Sequence, residues 1–295
     1  MLFGKTNAPT WSANIQAHND LFGTTNNPWD LGRSPGGSSG GAAAAVASGL
    51  TAFELGTDIG GSVRIPASFC GIFGHKPSFG LVPQPCYLDH VGGGTIDADI
   101  NVFGPLARSV EDLELLLGVL AGPGDDDAVA WSLELPAPRS SVLADLRIGT
   151  WLTDPLDGAT SELSAIGHRQ WLELTIERAA VRAVWSDWFS RHDVLLAPVM
   201  PMPPIVHDTK RPFMERTTLI NGELRPHLDC TAWTGLVGMA YLPSTVIPVG
   251  RTRSGLPVGM QVIGPFLEDR TSLTAGRLLF AVLGEWPPPP LAAVA

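Results

Sequence analysis

Two Gly-Gly-Ser turns, 24 residues apart, bracket a run of small residues between Ser34 and Pro66 that reads SPGGSSGGAAAAVASGLTAFELGTDIGGSVRIP. The first turn carries Ser38 and Ser39; the second carries Asp58, Ile59, Gly60, Gly61, Ser62 and Arg64. Serines set among glycines suit a site where main-chain N–H groups must come close to a reacting atom, because no side chain obstructs the approach. The alternative, that both turns are only tight connections, is reasonable for either alone and weakens for the pair. The stretch is therefore a candidate active site, and the remainder of the chain is its support.

Between the turns, Ser39 is placed to cap an alanine-rich helix over residues 41–48 that Gly49 would end. Residues 51–55 read as a short buried strand. Pro66 suits the first turn of a second helix starting near Ser62. Residues 4–33 are turn-rich. Residues 69–73 form an apolar element, and 74–80 read as another turn. The segment Gly92-Gly93-Gly94 reads as loop. Ser109 and Asp112 form a capping box for an amphipathic helix that runs through Leu120. Residues 123–145 look like a surface excursion, 146–151 a strand, 161–191 a long helix with Trp171, Ile176, Trp185 and Trp188 among its apolar residues and its aromatics read as core, and 194–198 an apolar strand. The last third gives strands at 244–249 and 258–263, a turn near 251–255 and a helix at 271–283. Helices and short apolar strands alternate, which predicts an α/β fold with a mixed, covered sheet. One domain over 1–285 is expected, followed by a disordered proline-rich tail at 286–295.

The chain has 295 residues, enough for a full core, and only 16% are charged against roughly 25% in ordinary domains. A net charge of −10, with basic residues scattered, argues against nucleic acid or an anionic membrane as partner. No apolar run reaches the ~18–20 residues of a membrane span. Cys70, Cys86 and Cys230 show no CxxC spacing and read as reduced thiols of a cytoplasmic protein. Neither glycine turn ends in Gly-Lys-Ser/Thr, so neither is a P-loop, and no GxGxxG follows a strand. The seven histidines (18, 75, 90, 168, 192, 207 and 227) lack metal-ligand spacing. Residues 36–40 match GxSxG, but no strand precedes them as a nucleophile elbow requires.

Taken together, Gly4-Lys5-Thr6-Asn7, PGGSSGG at 35–41, LGTDIGGSVRIPA at 55–67 and GHKPSFG at 74–80 resemble the amidase signature family of Ser–Ser–Lys hydrolases. Weaker likeness continues through residues 193–198 and 256–261 to Asp269-Arg270. The resemblance implies a mixed β-sheet core with helices on both faces, incomplete at the N-terminus. It implies an amidase that cleaves a small-molecule carboxylic amide through an acyl-serine intermediate, with no cofactor or metal. Ser62 would be the nucleophile and Ser38, on a cis Gly37–Ser38 peptide, the bridging serine. The N–H groups of Ile59, Gly60, Gly61 and Ser62 would form the oxyanion hole, and Ser39 would join the surrounding network. Asp58 and Arg64 are expected to pair across the loop. Many relatives dimerise, so a homodimer is open; so is a role as the amidase component of a glutamine-dependent tRNA amidotransferase.

The family's base is a lysine, and here the pattern departs. The chain has three lysines: Lys5 and Lys76 match non-catalytic lysines of the motifs, and Lys210 lies outside them. The catalytic lysine would lie further upstream than the 61 residues that precede Ser62. A late gene start or a degraded copy would account for this and for the abrupt Met1-Leu2-Phe3; the competing account gives the base's role to another lysine or a histidine. The expectation is a chain with little amidase activity of its own, marginal stability and open sheet edges, or at the limit a non-catalytic scaffold. A second departure falls at residues 153–168, where a strand runs almost directly into the long helix.

Overall fold

The computed structural model describes residues 4–85, 87, 98–153 and 168–290. A 3-10 turn at Thr10–Ser12 and two short strands, β1 (His18–Asn19) and β2 (Gly23–Thr24), precede α1 (Gly40–Ala47), β3 (Phe53–Asp58) and α2 (Arg64–Cys70). Then come β4 (Phe73–Lys76), β5 (Val102–Ala107), α3 (Val110–Leu120), β6 (Ile148–Thr150), α4 (His168–Arg191) and β7 (Val194–Pro198). The hairpin β8 (Thr217–Ile220) and β9 (Glu223–Pro226), α5 (Ala232–Met239), β10 (Ser244–Arg251), β11 (Pro257–Ile263) and α6 (Asp269–Leu283) complete the fold.

Seven strands make one sheet in the order β3-β5-β4-β10-β11-β7-β6. Every neighbouring pair is antiparallel except β6 and β7, which are parallel. The centre is β10, and its alternation sorts the core: Val246 packs with Val63, Ile65 and Phe69 under α1 and α2, whereas Ile247 packs with Leu113, Leu117 and Leu273 under α3 and α6. Helices thus cover both faces of a mixed sheet, as expected. Ser109 caps α3 as its spacing predicts, accepting the Asp112 N–H at 3.1 Å.

Several local expectations are corrected. Ser39 stands at the start of α1 but makes no side-chain cap bond; its N–H is turned instead to the carbonyl of Ser62, 3.2 Å away. The strand expected at 51–55 runs to Asp58 and lies at a sheet edge, so Phe53 and Leu55 are exposed rather than buried. The turn expected from residue 74 begins as β4, because 73–76 pair with strands on both sides. In α4, Trp185, Trp188 and Phe189 do cluster with Trp151, but Trp171 and Ile176 are exposed. The helix packs its aromatic cluster against the body near its C-terminal end, and mid-helix Arg178 is tied to Asp99 at 2.8 Å and lies over the Tyr241 ring. The tail expected to be disordered is placed through Pro290: Trp286 donates its indole N–H to Gly71 O at 2.8 Å and packs on Trp29. Met1-Leu2-Phe3, Cys86, the glycine loop at 92–94, the part of the long helix at 161–167 and the end of the tail lie outside the described residues. Cys70 and Cys230 are buried free thiols.

Candidate active site

The two glycine turns meet. Gly37–Ser38 is a cis peptide, and the Ser39 N–H to Ser62 carbonyl bond ties one turn to the other through the main chain. Gly37 fits only because it lacks a side chain: a Cβ there would stand 2.4 Å from Asn14 O and 2.6 Å from Gln16 N. Ser38 lies behind the surface at 3% exposure, while Ser62 is half-buried. No hydrogen bond joins the two hydroxyls among the described residues.

The second turn is built around Asp58. Its carboxylate, fully buried, accepts from Arg64 Nη2 at 2.8 Å and Nε at 2.9 Å, the paired fork geometry of arginine with a carboxylate. It also accepts the N–H groups of Gly61 at 2.8 Å, Val63 at 3.2 Å and Arg64 at 3.3 Å. Burial alone would raise its pKa. The Arg64 charge and hydrogen bonds, the Lys76 charge and the Val63 N–H outweigh that and hold it below the ordinary carboxylate value. The expected Asp58–Arg64 pair is therefore present, with Asp58 serving as the hub of the turn.

Peptide planes then decide where the remaining donors point. In a trans peptide the carbonyl and N–H face opposite ways. The Gly60 carbonyl accepts from Thr234 Oγ1 on α5 at 2.6 Å, which sends the Gly61 N–H to Asp58. The Ile59 carbonyl faces Gly238 on α5, where a Cβ would stand 2.7 Å away, and this turns the Gly60 N–H away from α5. The Gly61 carbonyl accepts the Ile65 N–H at 2.7 Å as the first helical bond, which turns the Ser62 N–H away from α2. Of the four donors expected for an oxyanion, Gly61 is thus committed to Asp58. Ile59, Gly60 and Ser62 donate to no acceptor among the described residues.

Gln261 on β11 and Thr234 on α5 complete this frame, and neither received a role from sequence. Gln261 Oε1 accepts from Arg64 Nη1 at 3.2 Å and from Ser244 Oγ at 3.1 Å, and Nε2 donates to Trp233 O at 3.1 Å and Pro198 O at 2.8 Å. Both residues act across more than 170 positions, where no local spacing signals them.

The lysines sit elsewhere. Lys5 and Lys210 are exposed. Lys76 is fully buried and donates to Pro77 O at 3.0 Å and Leu242 O at 2.9 Å. Burial, and then the Arg64 charge, push its ammonium down to about 7. None of the three bonds to Ser38 or Ser62 among the described residues. A separate Ser–His–Asp set does exist: Asp269 accepts from Ser78 Oγ at 2.6 Å and lies 3.1 Å from His75 Nε2. All three are fully buried and tie β4 to α6, so this set has no route to a substrate.

A family model described as Amidase matches residues 1–169 and 163–273. The chain belongs to the amidase signature family. It is 38% identical over 363 residues to the A-type subunit of the glutamyl-tRNA(Gln) amidotransferase of Saccharolobus solfataricus, covering 91% of this chain and 72% of that protein. The same-named protein of Gloeobacter violaceus is 42% identical over 147 residues, covering 50% of this chain; the chain spans only 29% of that relative's length. Among solved structures, a bacterial aryl acylamidase of the family superposes with a TM-score of 0.79 at 25% identity, covering 97% of this chain and 73% of that one. The 363-residue alignment exceeds the 295 residues of this chain, so the archaeal relative holds residues with no counterpart here. The two family matches meet at 163–169, which places that break between β6 and α4, at the second departure noted in the sequence.

Proposed function

We propose that this protein is an amidase that transfers the acyl group of a small carboxylic amide to Ser62 and then to water. The observation that carries the reading is the second turn: Ser62 is only half-buried, and the N–H groups of Ile59, Gly60 and Ser62 lack acceptors among the described residues. Ser62 Oγ attacks the carbonyl carbon, and the three N–H groups take up the charge that develops on the oxygen. One such donor is worth about 3–4 kcal/mol of transition-state stabilisation. Ser38, buried on the adjoining turn, moves the proton that Ser62 gives up toward the departing nitrogen, and the C–N bond breaks. Water then releases the acid. Ser39 holds the two turns in register, and Asp58 with Arg64 fixes the donors' direction.

A serine hydroxyl needs a neighbouring base, and no lysine touches Ser38 or Ser62 among the described residues. We therefore propose that these 295 residues turn over slowly by themselves. A serine-directed fluorophosphonate tests the reading: Ser62 should be labelled in folded protein, and Ser62→Ala should abolish labelling. A folded sample that takes no label points to a scaffold that has kept the fold without the chemistry. Brisk hydrolysis of a simple aryl amide would instead assign the base to another group of this chain.

A second reading rests on the amidotransferase components found as relatives. In it, Ser62 releases ammonia from glutamine for a partner protein, and glutaminase activity appears only with the co-purified partner. The buried, reduced Cys70 and Cys230 fit a cytoplasmic setting. Among the described residues no helix is long and apolar enough to cross a membrane.

A further inference from the structure

Beside the first glycine turn lies a cavity of about 400 Å3 that the acyl-transfer reading does not use. One wall is apolar, made by Met202, Pro203, Pro204 and Ile205; the other carries Arg216, His227 and Thr218 from the β8–β9 hairpin and its flanks. Arg216 is 5% exposed. Its Nε donates to Arg211 O at 2.8 Å and its Nη1 to Asn14 Oδ1 at 3.1 Å, while Nη2 has no acceptor among the described residues. The two other arginines of the cavity have carboxylates of their own, Arg33 with Asp30 at 3.1 Å and Arg211 with Asp208 at 2.7 Å. Arg216 has none within ion-pair distance among the described residues. The Asp208 carboxylate, which also lines the cavity, acts on Arg216 from beyond that distance but is already paired with Arg211, and a buried guanidinium with no direct counter-ion is costly unless something else supplies one.

His227 points the same way. At 4% exposure its Nδ1 lies 2.6 Å from Thr218 Oγ1, and its Nε2 is buried without a partner among the described residues. Burial, and then the Arg216 charge, push its imidazole down to about 4, so it is neutral at pH 7 and can donate one N–H. Gln16 is not available to a ligand: its amide exchanges hydrogen bonds with the Asp208 main chain at 2.9 and 3.1 Å.

We propose that this cavity is a binding site for a small organic carboxylate with an apolar body, its two oxygens taken by Arg216 Nη2 and His227 Nε2 and its body laid on the Met202–Ile205 wall. The volume is that of a fragment-sized ligand. The site communicates with the glycine turn through Asn14, whose side chain holds Arg216 and whose carbonyl closes over Gly37.

The test is calorimetric titration of the full 295-residue protein with 3-phenylpropanoate and with its uncharged isostere 3-phenylpropanamide. We expect the acid to bind at least tenfold more tightly. The Arg216→Gln variant should reduce the acid to the amide's affinity without changing the amide's own. Should that variant not fold, His227→Phe should still weaken the acid severalfold, and the wild-type comparison needs no variant. Protein already labelled at Ser62 by a fluorophosphonate should bind the acid as before. Equal affinities for acid and amide, no binding of either, or loss of acid binding on Ser62 labelling would each overturn the proposal. A chain that takes no label at Ser62 would refute the acyl-transfer reading and leave this one standing.

Discussion

Arg64 and Asp58 hold the strongest electrostatic contact of the site, and both are out of water. Removing one partner of such a pair leaves the other charge buried and uncompensated, at a cost of about 3–5 kcal/mol. Arg64→Ala should lower unfolding free energy by that order in urea titration, and it should abolish Ser62 labelling even in conditions where the variant is folded. Full labelling in Arg64→Ala would show that Asp58 fixes the turn alone. Lys76 gives a pH signature. Its folded value near 7 lies well below the ordinary 10.5. Between those values the unfolded chain binds a proton that the folded chain does not, so stability rises with pH from about 7 upward and levels off above about 10. Lys76→Met should flatten that slope in denaturation series at pH 7, 8.5 and 10. It should also lower stability throughout, since the carbonyls of Pro77 and Leu242 lose their donor.

At the level of elements, Asp193 is the clasp between β6 and β7. It accepts from Arg147 Nη2 at 2.6 Å, from the Arg147 N–H at 2.8 Å and from Arg139 Nη1 at 3.4 Å. Hydrogen bonds from Arg147 come first among the causes that bring it down to about 2 from 3.8. Its contribution is complete above pH 4 and is lost as pH falls through 2, so Asp193→Asn should cost about 2 kcal/mol at pH 7 and almost nothing at the acid end. What sequence reveals follows the same division between local and distant. The bounds of β7, β10, β11 and α3 were legible because alternation, capping and turns are local signals. The β8–β9 hairpin has a local signal too, Asn221-Gly222 between alternating residues, and both turn residues take positive φ; the glycine turns upstream draw attention away from it. The Asp58–Arg64 pair was legible at six positions' separation, but the Gln261 and Thr234 contacts were not. The diversion of the Gly61 N–H was invisible because it depends on where α5 places a hydroxyl. The exposure of α4 was missed because its apolar residues read as core when the neighbours that would cover them are not known.

Over the whole molecule, the sheet ends at β3 on one side and β6 on the other, and nothing among the described residues pairs with the outer side of either. Phe53 and Leu55 stand exposed on β3. Open, apolar edges favour edge-to-edge association. Leu55→Lys should therefore reduce self-association in light scattering at high protein concentration while leaving the melting temperature within a degree or two. An unchanged aggregation rate would place the sticky surface elsewhere. The bond between the Ser39 N–H and the Ser62 carbonyl carries a different lesson. It belongs to the main chain, so no replacement at either position other than Ser39→Pro removes its donor or acceptor. A lineage can exchange its reactive groups, or lose them, and the two loops will still be folded face to face. Shape is thus held apart from chemistry: the facing of the two loops rests on peptide groups that nearly every residue carries.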